Sequence, residues 1–194
     1  MFRCYLVVLV SIVFFHIPAF AANELDLGKV HLAVKIDYIQ FVDDINEDVG
    51  IDEDVYYGVE AYYGLSDNLY LGSEVGYSNP EGDFSYWGDH YNTEVTFMPL
   101  ELNIKYSRFI NSDIYFDIGT GFAYIYIEEK INGFRYSSEE DDWLLGGQVF
   151  LGLNYKLHNL FVGVNGKYQV TEEFQDDSND YENWRIGGQI GMIF

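Results

Sequence analysis

Basic residues are scarce in this chain: ten Lys and Arg stand against 32 Asp and Glu, for a formal net charge of −22. Such a surface repels phosphate backbones and anionic headgroups, which argues against nucleic acid as a partner and makes cations the better small ligands. Cysteine is almost absent, and the sole example, Cys4, precedes the first apolar run. A lipid-modified cysteine has to follow that run, and a lone thiol forms neither an internal disulfide nor a thiolate metal site. After residue 21 no apolar run approaches the roughly 20 residues of a membrane-crossing helix. What is plentiful is apolar: 48% of the residues are hydrophobic and 19% aromatic, too much to stay solvated as an acidic polymer. A length of 194 residues fits one folded domain.

The first residues read as an address. Arg3 supplies a positive start, Leu6 to Phe15 an apolar stretch, and Ala19-Phe20-Ala21 a small-residue cleavage site. Residues 1–21 are expected to be a secretory signal peptide and 22–194 the domain; His16 and Pro18 speak against a helical anchor. Without Arg3, nine basic residues face 32 acidic ones.

Period two dominates from there on, the spacing that sends successive side chains to opposite faces of a strand. Val30, Leu32, Val34, Ile36 and Tyr38 alternate with His31, Ala33, Lys35 and Asp37; Val55, Tyr57, Val59, Ala61 and Tyr63 with Tyr56, Gly58, Glu60, Tyr62 and Gly64. Leu69, Leu71, Val75 and Tyr77 oppose Tyr70, Gly72, Glu74 and Gly76, and Met98, Leu100, Leu102, Ile104 and Tyr106 oppose Pro99, Glu101, Asn103 and Lys105. Ile114, Phe116, Ile118, Phe122, Tyr124 and Tyr126 face away from Asp117, Gly119, Gly121 and Ala123. The last three segments set Leu145 to Tyr155, Leu160 to Val170 and Trp184 to Phe194 against polar faces that include Gln148, Asn154, Asn165, Lys167, Gln169, Arg185 and Gln189. Eight strands of this length suit a tilted crossing of a bilayer.

The connections alternate too. Acidic stretches near 42–53, 78–93, 128–142 and 171–182 read as long loops, while Ser66-Asp67-Asn68, Ser107 to Asp113 and Lys156 to Asn159 read as short turns. Long loops at one end and tight turns at the other define the expected fold: an all-β, eight-stranded antiparallel up-and-down transmembrane β-barrel with short periplasmic turns and long extracellular loops. A soluble barrel with its apolar face turned inward competes. Against it, the polar face is crowded with glycine, which suits a narrow filled interior, and Tyr38, Tyr63, Tyr77, Tyr106, Tyr126, Tyr155, Tyr168 and Trp184 sit near segment ends like the girdles of a membrane barrel.

On these segments, above all the C-terminal Trp184-Arg185-Ile186-Gly187-Gly188-Gln189-Ile190-Gly191-Met192-Ile193-Phe194, the chain resembles the small eight-stranded outer-membrane barrels of Gram-negative bacteria, in the broad group of outer-membrane protein A and X and porin-family barrel domains. The resemblance implies residence in the cell outer membrane, contact with its lipid and lipopolysaccharide, and folding by the barrel assembly machinery, with Phe194 as the assembly signal. It implies no particular activity, since such barrels serve as adhesins, tethers, resistance factors, narrow pores or lipid enzymes. With no domain after Phe194, a peptidoglycan tether is not expected.

With the apolar face toward lipid, the inward face carries Lys35, Lys105, Lys167 and Arg185 together with Asp37, Glu60, Glu74, Glu101 and Asp117. Unpaired, each would cost several kcal/mol in so narrow a space, so a mutually paired network is expected rather than a conducting path. Oxygen-rich loops such as Asp43 to Asp54 offer diffuse affinity for divalent cations, as against a plain solvated surface, but the calcium-loop spacing fails where Val55 replaces the bidentate glutamate. His31, His90 and His158 are too scattered for catalysis or a metal site and are expected at the surface or rim. Phe84, Tyr86, Trp87 and Tyr91 form either a recognition surface or a lid. The expected role is non-enzymatic and without a cofactor, an envelope structural or interaction protein, with a narrow pore for small solutes or ions as the alternative.

Overall fold

The computed structural model describes residues 28–42, 51–86, 89–133, 137–174 and 179–194, with backbone alone at 84–86, 89–90, 173–174 and 179–180. Eleven strands follow in order: β1 Val30–Phe41, β2 Glu53–Gly64, β3 Leu69–Tyr77, β4 Glu81–Tyr86, β5 Asp89–Phe109, β6 Ile114–Gly133, β7 Ser137–Leu157, β8 Leu160–Thr171, β9 Glu173–Phe174, β10 Asn179–Asp180 and β11 Asn183–Ile193. Eight of them form a closed antiparallel ring, β1-β2-β3-β5-β6-β7-β8-β11, in which β11 returns to pair with β1. β4 is a short outer strand hydrogen-bonded to the top of β5, and β9 and β10 make a separate two-stranded piece.

Closure leaves one face to the inside and one to the outside. Outside stand Ile36 (60% exposed), Leu151 (64%), Val164 (61%) and Phe122 (78%), a belt that water would not tolerate and lipid does. Inside stand the polar partners of the same alternation. At the level of Tyr38, Met98 and Tyr126 the pattern inverts: below it the outward residues are apolar, and above it the buried inward residues are, with Ile39, Phe41, Val95, Phe97, Ile125 and Ile127. Such an inversion marks where lipid gives way to water, because apolar side chains leave whichever face is wet.

Two stretches expected as long loops are strands instead. Residues 78–93 form β4 and the start of β5, and 128–142 the end of β6 and the start of β7, so that β4-β5-β6-β7 continue above the barrel as a four-stranded sheet. Their acidity signalled solvent, which is correct, but a sheet wet on its outer face carries charge as readily as a loop does. Residues 43–50 and 175–178 of the other two expected loops, with Asp43, Asp44, Glu47, Asp48, Asp176 and Asp177, lie outside the described residues.

The short connections are as tight as expected. The β5–β6 turn is closed by Asn111, whose Oδ1 accepts from Asp113 N at 2.9 Å and Ile114 N at 2.8 Å. In the β7–β8 turn His158 takes the left-handed conformation (φ 59°).

Candidate functional site

The barrel interior is built in three layers. The central one gathers the nine inward charges, each at most 5% exposed. Lys167 Nζ lies 2.8 Å from Glu74 Oε2 and also contacts Glu101, while Lys35 Nζ lies 3.1 Å from Glu74 Oε2. Arg185 donates to Glu101 Oε1 at 2.7 Å and sits 3.7 Å from Glu74, its guanidinium 4.3 Å above the Tyr56 ring. Lys105 lies 3.6 Å from Asp117 and 4.0 Å from Glu60, over the face of Tyr62. Asp37 accepts a hydrogen bond from Asn165 at 2.9 Å.

Sequence reasoning singled out the charges and missed the neutral groups that complete them. Tyr56 donates to Glu74 at 2.9 Å, Asn154 to Asp117 at 2.9 Å, and Asn103 to Glu101 at 3.1 Å, with Gln148 donating in turn to Asn103 at 2.7 Å. These residues occupy the same inward positions as the charges, so their shared face was the available signal. Each carboxylate in a low-dielectric interior needs such donors as well as a counter-charge.

The second layer lies at the extracellular end. Ile39, Phe41, Ile51, Val95, Phe97, Ile125, Ile127 and Leu144 pack across the lumen, with Phe41 edge-on to Phe97 at 5.3 Å and to Tyr181 at 5.8 Å. Tyr181, from the segment before β11, is held by Thr171 Oγ1, which accepts from its backbone N at 2.9 Å, and its phenol donates to Glu129. Burial pushes the Glu129 carboxyl above the usual carboxylate range, opposed by the Tyr181 phenol and reinforced by Glu140.

The third layer, at the end of the short turns, is aromatic. Tyr62 lies against Gly72, Phe150 against Gly119 and Phe161 against Gly191, each pair directly opposed on neighbouring strands. Rings laid flat on glycine explain the crowding of that face: a Cβ at Gly119 or Gly191 would stand 2.3 Å from the opposing ring. His31 belongs to this layer. It is 1% exposed, its ring 4.6 Å from that of Tyr70, so the expectation of a surface histidine is corrected: an inward side chain one residue inside the strand is walled in by the barrel itself. His158 is exposed in its turn, and the side chains of His90, Phe84, Tyr86 and Trp87 lie outside those described.

Above the membrane the outer face of the protruding sheet sets Glu81 opposite Glu94, Glu94 opposite Lys130, Lys130 opposite Glu139, and Glu128 opposite Asp141. Lys130 answers with contacts of 2.9 Å to Glu128 and 3.6 Å to Glu139. Directly below, Tyr124 stacks on Trp143 at 4.5 Å, with Tyr126 at 5.2 Å, an aromatic rim where headgroups begin. Among the described residues no group of three or more His, Cys, Asp or Glu side chains is arranged to hold a metal ion. Phe194 points outward, 59% exposed, at the seam where its backbone N donates to Val30 O at 2.9 Å.

Solved structures share this architecture. Neisserial surface protein A (NspA) is 11% identical with a TM-score of 0.63, covering 86% of this chain and 99% of its own. OprG from Pseudomonas aeruginosa is 14% identical with a TM-score of 0.61 (90% and 99%), and Ail, the attachment invasion locus protein of Yersinia pestis, 13% identical with a TM-score of 0.57 (87% and 100%). No curated protein matches the sequence. The model of the outer membrane protein beta-barrel domain matches residues 7–194, and with the closed ring, lipid-facing belt and aromatic rim above, the chain belongs to that family and resides in the outer membrane.

Proposed function

We propose that this protein is a closed, non-enzymatic barrel that presents an acidic extracellular sheet as an interaction surface of the cell envelope. The observation that carries the reading is the filled lumen: an apolar mouth, a buried ion-paired centre and an aromatic base stand in series across the path a solute would take. His31, enclosed between Tyr70 and Phe161, and His158, alone in a turn, support the absence of catalysis.

Charge constrains the partner. Ail has been crystallised with the heparin analogue sucrose octasulfate, a polyanion. Here the sheet's carboxylates favour a basic protein surface, or divalent cations shared with lipopolysaccharide phosphates, over such a ligand. Export by residues 1–21 and recognition of Phe194 by the barrel assembly machinery complete the proposal.

The test is single-channel recording of the refolded full chain in planar bilayers. The closed barrel gives no conductance steps in the wild type. Phe97→Ala and Ile125→Ala together thin the mouth yet still leave the charged centre blocked. Regular wild-type steps with cation selectivity would replace this reading with the narrow pore.

A further inference from the structure

The central charges fall into two sets that touch differently. Around Glu74 and Glu101 the ion pairs are direct, at 2.8 Å for Lys167, 3.1 Å for Lys35 and 2.7 Å for Arg185. Around Glu60 they are not: Lys35 stands 3.8 Å away and Lys105 4.0 Å, and Lys105 reaches Asp117 at 3.6 Å. All four residues of these stretched contacts line one small pocket of the barrel interior, of about 10 Å³, together with Asn165 and Gln189. Asn165 is 8% exposed and donates to Asp37, while its Oδ1 has no hydrogen-bond partner among the described residues.

Polar contacts longer than about 3.5 Å leave each partner's hydrogen-bonding capacity open to a water seated beside the pair, and a buried water needs about 10–15 Å³ and two to four polar partners. The cavity meets both requirements at their lower bound. A metal cation is disfavoured by the two ammonium groups on the wall, and an inorganic anion is too large. We propose that this cavity is a binding site for one ordered water molecule, which accepts from Lys35 or Lys105, donates to Glu60 or Asp117, and supplies Asn165 Oδ1 with its donor. Between Lys35 and Asp117 that water adds a hydrogen-bonded link from the Glu74–Glu101 set to the Lys105–Asp117 set, which otherwise meet only through the long contacts of Glu60. The inference goes beyond the closed-barrel reading, because a site among these buried charges exists whether or not the loops bind a partner or the mouth leaks.

Gly152 lines the same cavity, and a Cβ there would meet its nearest atoms, Asn154 Nδ2 and Val164 O, at 3.6 Å, an ordinary contact. Gly152→Ala therefore fills the space without a clash. Filling a dry cavity raises stability, whereas displacing a bound water strands the groups it served and lowers it. The measurements are water-to-amide cross-relaxation by NMR at the side chains of Asn165 and Gln189 of the refolded chain in lipid nanodiscs, and the urea midpoint of Gly152→Ala in lipid vesicles. A long-lived water signal at these amides that disappears in Gly152→Ala, with a lowered midpoint, is the expected result. Absence of that signal in the wild type, or a midpoint that is unchanged or raised in the variant, overturns the proposal; the wild-type signal decides alone where the variant does not fold.

Discussion

The same side chains are used in opposite ways in two regions of this molecule. In the middle of the barrel every lysine and arginine stands against a carboxylate, and neutral donors such as Tyr56, Asn103 and Asn154 add hydrogen bonds to those carboxylates. On the outer face of the sheet above the membrane like charges face one another across the strands, Glu128 opposite Asp141 and Glu81 opposite Glu94, with Lys130 the main relief. Solvent accounts for the difference. In the interior an unmatched charge forfeits its hydration and finds no screening, so pairing is compulsory; in water at physiological ionic strength the repulsion is weak enough to leave in place. The acidic sheet thus tolerates like charges that the interior could not hold.

Removing one cation from each region gives the sharpest test. Arg185→Met leaves Glu101 and Glu74 buried without their guanidinium, an expected loss of about 3–5 kcal/mol by urea unfolding in vesicles, and Arg185→Met with Glu101→Gln should recover a large part of it. Lys130→Met in the sheet should leave the unfolding midpoint where it was. Equal losses at both positions would erase the distinction between the regions.

A smaller effect is expected where a ring lies on a glycine. A Cβ at Gly76 would come within 1.9 Å of the Tyr56 hydroxyl, the group that donates to Glu74. Ring carbons of Tyr56 would stand at 2.1 and 2.5 Å from the same Cβ, so Gly76→Ala should cost about 1–3 kcal/mol, and Gly76→Ala with Tyr56→Leu, which removes the ring it would strike, should cost less than the sum of the two single changes.

The smallest effect concerns pH. Glu129 is held above the ordinary carboxylate range by burial, so the folded mouth binds its proton more tightly than the unfolded chain does. Its contribution to stability is therefore greatest at low pH and declines as pH rises from the ordinary range through the raised value. Heat-dependent gel mobility of wild type and Glu129→Gln between pH 4 and 7 should show midpoints that converge at the acid end and part toward neutrality; parallel curves would leave Glu129 without a role in closing the mouth.

Much of this architecture was legible in the chain. Alternation in segments such as Val30 to Tyr38 and Met98 to Tyr106 identified the barrel strands and which face meets lipid, because a one-residue period error would have put Lys35 or Lys105 into the bilayer. The inward position of all nine charges follows from the same parity. The partners were not legible: nothing in a strand's pattern says that Glu74 on β3 meets Lys167 on β8, since register and barrel shear decide who faces whom across the lumen. The upper strands were misread for a related reason. Above the rim the apolar residues cross to the inner face, as in Val95 and Phe97, so the alternation changes phase and the run ceases to resemble the strand it continues.

The length of the central strands sets a physical reach. β5 and β7 each run 21 residues, which at about 3.3 Å per residue and a tilt of about 45° is a rise of roughly 50 Å. The apolar band accounts for about half of that. About 25 Å of strand therefore lies beyond the band, paired continuously with the barrel wall below it. The charged pairs it carries, such as Glu128 opposite Asp141 and Lys130 opposite Glu139, are thereby held clear of the lipid surface instead of lying on it.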